Sequence, residues 1–324
     1  MAEAEKWTVG RLLTWTTDFL RQHGADSPRI DAEVLLAHAR GCSRIELYTV
    51  YNEDPGDETR ATFRNLVKQR AAGTPVAYLV GYREFYSLPF KVTPDVLIPR
   101  PETEMLVVAL LDKINEEQAK DARKDTPPAD EATAATDDAG EPISSRPKRS
   151  HRAWQIADVG TGSGILAVCA AKHLPAAEVT AIDISPAALA IARENAERHG
   201  VADRIHFIES NVFAAVPTEA QFDFILSNPP YVRTSEMAEL PREVAQHEPH
   251  LALEAGPEGT DVIAPLLEQS LQRLRPGGWL FCELSPMIAE TVRSLAAQQS
   301  GWESIQIRPD TAGHLRMLAA RRHL

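Results

Sequence analysis

At 324 residues, with 44% hydrophobic content, the chain exceeds one typical domain and can bury a substantial core, so two domains are expected. A formal charge of −12 and a pI near 5.4 weigh against a protein built to grip a phosphate backbone, and Cys42, Cys169 and Cys282 are too scattered for a disulfide framework or a zinc site. Met1 to Lys6 carries no apolar signal core and no apolar run reaches membrane-spanning length, so the expectation is a soluble cytoplasmic protein with no bound metal and no membrane attachment.

The first 73 residues read as a small helical domain. From Trp7 to His23, Leu12, Leu13, Trp15, Phe19 and Leu20 recur near helical spacing, and Gly24 stands where a helix would stop. Ser27-Pro28 offers a cap and a first-turn proline for a helix to about Arg40, with Asp31 and Glu33 favouring its N-terminal end. A third helix is predicted over residues 58–72, and a short one near Ser43 to Tyr48. None of these helices carries a catalytic constellation. They read as a domain for recognition or docking.

Residues 74–101 change character. Tyr82, Phe85, Tyr86, Phe90 and Val92 interleave with Gly81, Pro89 and Pro94, which predicts a hairpin-like linker. It closes on Ile98-Pro99-Arg100-Pro101-Glu102, where two prolines stiffen a loop that holds a charged pair, placed either to line a site mouth or to form a solvated turn. A helix is predicted over 102–115. Residues 116–150 then become rich in Ala, Asp, Glu, Lys, Pro and Thr, with too little apolar surface to offset the entropy of ordering, and a disordered insertion is expected there.

From 155 onward strand-like and helical stretches alternate, which predicts a mainly parallel sheet with helices on both faces. The first strand, Gln155 to Val159, runs into Gly160-Thr161-Gly162-Ser163-Gly164. Such a loop brings backbone N–H groups close to a ligand at a helix start. The dinucleotide fingerprint needs a third glycine where this chain has Ile165, so a pyrophosphate is disfavoured. Asp183 ends the next strand, where a carboxylate accepts ribose hydroxyls. Together they point to a nucleoside cofactor without phosphate, which S-adenosylmethionine satisfies. Asp158, just before the loop, is placed either to meet the cofactor's ammonium group or to hold the loop by hydrogen bonds.

A second constellation follows the apolar run Phe222 to Leu226: Ser227-Asn228-Pro229-Pro230-Tyr231. Two prolines cannot continue a ladder, so the chain must turn out at the carboxyl edge of the sheet, where open α/β folds bind ligands. Asn228 offers an acceptor and two donors on a short stem, carbonyls near Pro229 are free to face the site, and Tyr231 supplies a flat ring. That set suits a planar amide or amino group.

With those residues in view, the chain resembles a class I S-adenosylmethionine-dependent methyltransferase, with a Rossmann-like, seven-stranded, mainly parallel sheet. It is more closely similar to the family that methylates the glutamine of the Gly-Gly-Gln motif in peptide chain release factors. The resemblance runs through nearly the whole chain outside the insertion. It rests on Ser27-Pro28-Arg29 with Asp31-Ala32-Glu33, on Arg83-Glu84-Phe85, on Leu97 to Glu104, on the glycine loop, on Asn228 to Tyr231, and on Asp310, Ala312, Gly313 and Arg316. It implies that Gly160 to Gly164 and Asp183 bind the cofactor, that Asn211 and Val212 flank its adenine, and that Asn228, Pro229, Pro230 and Tyr231 hold the substrate glutamine, with Arg100 and Glu102 at the site mouth. It implies also a release factor as protein partner; from the acidic charge no direct nucleic-acid contact is expected, and a monomer is the expected state. Departures from the family pattern fall at Asn211, Val212, His247 and Met287.

Two other readings use the same residues. An exocyclic amino group of adenine or cytosine, flipped out of nucleic acid, would suit the Asn-Pro-Pro-Tyr geometry; the acidic charge and the helical first domain weigh against it. A non-catalytic binding module could retain the fold, against which the intact Asn228 and glycine loop weigh.

Overall fold

The computed structural model describes residues 6–124 and 153–324. It opens with helices α1 (Val9–Gln22), α2 (Pro28–Arg40), α3 (Glu46–Thr49), α4 (Asp57–Ala71) and α5 (Val76–Val80). Leu13, Leu20, Leu35, Leu36, Leu47 and Phe63 bury their side chains between them as a core separate from that of the sheet. The Thr8 hydroxyl caps α1 by accepting the Arg11 N–H at 3.3 Å, and Gly24 takes a φ of +79° two residues past the helix end. Ser27, expected to cap α2, makes no side-chain cap hydrogen bond. Asp31 stands in the first turn of α2, as expected, and both it and Glu33 also form ion pairs. Asp31 pairs with Arg70 at 2.7 Å, and Glu33 with Arg29 at 2.6 Å and Arg44 at 2.7 Å.

The linker predicted over 74–101 divides in two. Residues Val76–Val80 are helical and add Val76, Leu79 and Val80 to the bundle core, so the bundle extends to Gly81. Only then does the hairpin form, from β1 (Tyr82–Phe85) and β2 (Leu88–Lys91), joined through Tyr86 and Ser87 at φ 49° and 60°. Two successive positive φ angles are what a tight hairpin of right-handed twist requires. Asn195 holds this hairpin to the rest: its Oδ1 accepts the Lys91 N–H at 2.7 Å, and its Nδ2 donates to the Lys91 carbonyl at 3.0 Å and to the Ser163 carbonyl at 2.8 Å. One buried amide thereby serves as a strand partner for β2 and a brace for the glycine loop.

A 3-10 turn at Pro101–Thr103 leads into α6 (Glu104–Lys124). Residues 116–124, expected to begin a disordered insertion, are helical. Ion pairs Lys113–Glu116 at 2.6 Å and Lys120–Glu117 at 2.8 Å follow helical spacing. Extending an existing helix also costs far less than nucleating one, which a composition-based reading overlooks. The remainder of that expectation lies outside the described residues.

The sheet contains β3 (Gln155–Val159), β4 (Glu178–Asp183), β5 (Ile205–Glu209), β6 (Phe222–Ser227), β7 (Leu274–Glu283), β8 (Trp302–Pro309) and β9 (Leu315–Arg322), in the order β5-β4-β3-β6-β7-β9-β8. All neighbours are parallel except β9, antiparallel to β7 and β8. Helices α7 (Ile165–His173) and α8 (Pro186–Arg198) pack with α6 on one face, while α10 (Ile263–Arg273) and α11 (Ala289–Ala297) cover the other; α9 (Arg242–His247) is short and lies apart from both layers. β7 starts five residues earlier than the Trp279 its apolar run predicts, because Gly277 and Gly278 sit inside the strand and its pairing with β6 slips between Phe222 and Phe224. The chain reverses direction across the sheet between β3 and β6. The carboxyl ends of β3, β4 and β6 therefore surround one crevice.

Candidate active site

β3 ends in the glycine loop. Gly160 and Thr161 donate their N–H groups to the Ile182 carbonyl at 2.8 and 2.9 Å, which ties the loop to the end of β4. Gly160 and Gly162 take φ values of +71° and +54°, and a Cβ on Gly164 would stand 3.0 Å from the Ala192 Cβ, so α7 can start only where it meets α8 without a side chain. Asp183 accepts the Gly162 N–H at 2.8 Å on one oxygen and the Ser185 N–H at 2.9 Å on the other. Burial raises its pKa, and these N–H groups act in the opposite sense. The carboxylate is thus oriented before any ligand arrives.

Asp158 lies beneath the loop. Its Oδ2 accepts the Thr161 hydroxyl at 2.6 Å and the Ala167 N–H at 3.0 Å, whereas Oδ1 has no partner among the described residues. Burial pushes its pKa up to about 7. Of the two placements the sequence leaves open, the structure displays the loop-holding one.

A first cavity of about 210 Å³ opens over these residues, lined by Gly160 to Ser163, Asp183, Asn211, Val212 and Asn228 to Pro230. Gly164 lies behind the wall. The charged groups among the lining residues are Asp95 and Asp183, and no lysine, arginine or histidine is among them. Val212 holds a φ of 51°, a conformation a β-branched residue rarely adopts and one that concentrates at functional sites. Its neighbours hold the turn: the Phe213 N–H donates to Gln269 Oε1 at 3.1 Å, and the Ala215 N–H to Ser210 Oγ at 2.9 Å.

A second cavity, about 170 Å³, lies on the other side of the Asn228-Pro229 turn and is lined by Arg100, Tyr231, Val232, Leu240, Val244 and Leu253. Leu97, Asn228, Pro229 and Ala252 belong to both cavities. The turn that ends β6 is therefore the wall between two chambers. Arg100 is anchored by Glu248, whose buried carboxylate also accepts the Ile98 N–H at 3.3 Å. Burial raises the Glu248 pKa and the Arg100 charge opposes that rise. Glu102 is exposed on the 3-10 turn and lines neither chamber.

Three residues at this site are given no role by the motifs, although Thr103 lies inside the Leu97 to Glu104 segment. Thr103, fully buried, accepts the Asn228 Nδ2–H at 3.1 Å. Glu283, at the end of β7 and 1% exposed, accepts the Tyr231 hydroxyl at 3.2 Å. Burial pushes its pKa up to about 6. Glu248 is the third. A charged residue closing an apolar strand, as Glu283 does after Phe281-Cys282, is the signal that could have found one of them.

The strand order and the helices on both faces of the sheet are those of the Rossmann-like class I methyltransferase fold. The hMettl16 catalytic domain, solved in complex with the MAT2A 3'UTR hairpin 6, shares that fold at a TM-score of 0.51 and 17% identity, over 80% of this chain and 82% of that one. Family models match at residues 11–81, described as the PrmC N-terminal domain, and at 138–251, described as the methyltransferase small domain. A release factor glutamine methyltransferase from Rhodopirellula baltica is 48% identical over 97% of this chain and 96% of its own length, and one from Geobacter sulfurreducens is 36% identical over 89% and 88%. The chain belongs to the release factor glutamine methyltransferase family. No helix among the described residues is long and apolar enough to cross a membrane.

Proposed function

We propose that this chain transfers a methyl group from S-adenosylmethionine to the side-chain amide nitrogen of the glutamine in the Gly-Gly-Gln motif of peptide chain release factors. The observation that carries the reading is the pair of chambers that meet at Leu97, Asn228, Pro229 and Ala252, one acidic and backbone-lined, the other lined by Tyr231, Arg100 and apolar side chains. A cavity whose charged lining groups are both carboxylates suits a cationic nucleoside and not a phosphate, which favours S-adenosylmethionine over a dinucleotide. Asp183 would accept the ribose hydroxyls, the glycine loop would lie against the amino-acid portion, and Ile184 and Val212 would give the adenine apolar surface. S-adenosylmethionine supplies an electrophilic methyl group on a positively charged sulfur.

A carboxamide nitrogen is a weak nucleophile because its lone pair is delocalised into the carbonyl. The rate must therefore come from positioning and local electrostatics. Asn228 Oδ1 and the Pro229 carbonyl accept the two N–H groups of the glutamine and turn its nitrogen toward the first chamber, while Tyr231 lies against the amide plane and excludes water. Because a glutamine side chain is small and common, selection of one protein must come from surface remote from the chemistry. The helical bundle supplies it, with Arg100 and the Pro99 to Glu102 loop framing the entrance. The enzyme works on a component of translation termination and so belongs in the cytoplasm.

The reading is tested by offering purified release factors, tRNA, rRNA and DNA to the enzyme with radiolabelled S-adenosylmethionine. Label should enter the release factors at the Gly-Gly-Gln glutamine. Label in nucleic acid and not in release factors would transfer the assignment to the amino-base reading.

A further inference from the structure

Within the turn from Asn228 to Tyr231, Tyr231 alone lines only the second chamber, and it is held at both ends by residues that line neither. Its hydroxyl donates to Glu283 Oε1 at 3.2 Å, at the end of β7. Among the described residues this is the side-chain hydrogen bond that the Glu283 carboxylate accepts, and Oε2 has no partner. A carboxylate buried with so few partners is costly to keep, and an amide of the same shape would avoid that cost. What the charge adds is the strength of the anchor, since a hydrogen bond to an ionised acceptor is roughly twice as strong as one to a neutral acceptor.

At the other end the main chain is clamped. Pro229 and Pro230 fix their own φ angles on the approach. Just beyond the ring, the Val232 N–H donates to the Leu253 carbonyl at 2.8 Å, and the Val232 carbonyl accepts the Ala255 N–H at 2.9 Å. The same segment then turns back, so that Gly259, at a φ of +72°, lies against the Tyr231 carbonyl. A Cβ on Gly259 would stand 2.7 Å from that oxygen and 3.2 Å from side-chain atoms of both Arg233 and Ile288. Any larger residue must push the Tyr231 backbone out of place. Between its two fixed ends the ring packs against the core on the α10 and α11 face of the sheet.

A ring joined to its backbone by two rotatable bonds swings when either end is released. We propose that Glu283 and Gly259 are positioning residues which together hold the Tyr231 ring at the tilt against which the substrate amide is laid, so that its nitrogen meets the methyl group in line. This rests on the function proposed above and deepens it. Burial is the largest influence on Glu283 and raises its pKa to about 6; Tyr231 and the Arg316 guanidinium on β9 act in the opposite sense, and Glu102 on the 3-10 turn acts with burial. The Tyr231 phenol remains the donor, since burial and the Glu283 charge both raise its pKa. Below about pH 6 the anchor becomes the weaker bond to a neutral carboxyl group.

Tyr231→Phe, Glu283→Gln, their double variant and Gly259→Ala, each in the whole enzyme, test this with a release factor as substrate. Tyr231→Phe keeps the ring and removes its anchor. It and Glu283→Gln should each lower kcat by roughly tenfold to a hundredfold, as loss of alignment does. The double variant should be no worse than Tyr231→Phe, because both changes weaken one bond. Gly259→Ala, which displaces the other end, should lower kcat to a similar degree. In all of them KM for the release factor and the dissociation constant for S-adenosylmethionine should stay at their wild-type values, the pattern of an interaction used only in the transition state. Wild-type kcat in Tyr231→Phe or Gly259→Ala, losses that multiply in the double variant, or losses carried by KM or cofactor affinity would overturn the proposal. Tyr231→Phe and Gly259→Ala carry the test if the Glu283 variant does not fold. A readout that needs no substrate is the nuclear magnetic resonance signal of an isotope-labelled Tyr231 ring, which should shift through a midpoint near pH 6 in the wild type and stay still in Glu283→Gln. A shift that persists in Glu283→Gln would also overturn the proposal. If the shift behaves as expected while label enters nucleic acid and not release factors, the anchored ring stands and the glutamine reading falls.

Discussion

The first chamber takes most of its walls from short stretches at the ends of adjacent strands β3, β4 and β6, each close to a recognisable motif. The second draws Leu97 and Arg100 from the linker, Tyr231 from beyond β6, and Leu240 and Val244 from the segment around α9. Its parts are held by ion pairs that cross the molecule. Glu248 fastens Arg100 from 148 positions away, and Arg70 of α4 pairs with Glu243 of α9 at 2.7 Å while also holding Asp31. Backbone and sheet geometry shape the first chamber, and buried charge shapes the second. Substitutions on the first side should act where they are made, whereas the second should respond to changes far from it.

Asn228 belongs to both chambers, and its loss should have the largest effect. Asn228→Ala should lower kcat by roughly a hundredfold or more, the scale of losing one transition-state hydrogen-bonding group. Affinity for S-adenosylmethionine should change little, because the glycine loop and Asp183, proposed to hold it, are untouched. Normal turnover alongside normal cofactor binding in calorimetry would remove Asn228 from the chemistry. On the cofactor side alone, Asp183→Ala should weaken S-adenosylmethionine binding at least about tenfold, since charge-assisted hydrogen bonds contribute roughly 1.5–3 kcal/mol each. An unaltered dissociation constant would move the nucleoside elsewhere.

Arg70 sharpens the comparison from the other side. Arg70→Ala leaves Asp31 and Glu243 without their common partner and loosens the bundle from α9. Cofactor affinity should hold, while kcat/KM for a whole release factor drops about fivefold more than for a short Gly-Gly-Gln peptide, equivalent to about 1 kcal/mol of docking free energy. Equal losses on peptide and protein would make the bundle a stabilising cap and not a docking element.

The smallest effect concerns Asp158, whose folded pKa of about 7 lies well above that of an exposed carboxyl. A raised folded pKa means that the native state holds the proton more tightly than the unfolded chain. The resulting stability is complete below about pH 4 and is lost as pH rises through about 7. Asp158→Asn, which keeps an oxygen for Thr161 and Ala167, should flatten the decline of Tm across that window by a few degrees. A decline as steep as in the wild type would assign it to other groups.

How much of this was legible differs between the two chambers for a physical reason. Local sequence determined the parallel sheet, because apolar runs bounded by helical periodicity report burial directly. It determined the glycine loop, Asp183 and the Asn228-Pro229-Pro230-Tyr231 turn, because tight backbone approach and a forced strand exit need those residue types at those places. Local sequence also marked the helix α6, but not its continuation to Lys124, since charged residues at helical spacing look the same in composition as a solvated loop. Tertiary structure alone decided that Val76–Val80 joins the bundle, that Asp31 pairs with Arg70 and Glu33 with Arg44, and that Asn195 stands in for a strand. It alone brought Thr103 and Glu283 to Asn228 and Tyr231, across 125 and 52 positions of chain respectively. A hydrogen bond between residues so far apart leaves no periodicity, spacing or composition to read, because which buried polar group finds which partner is settled only when the elements pack.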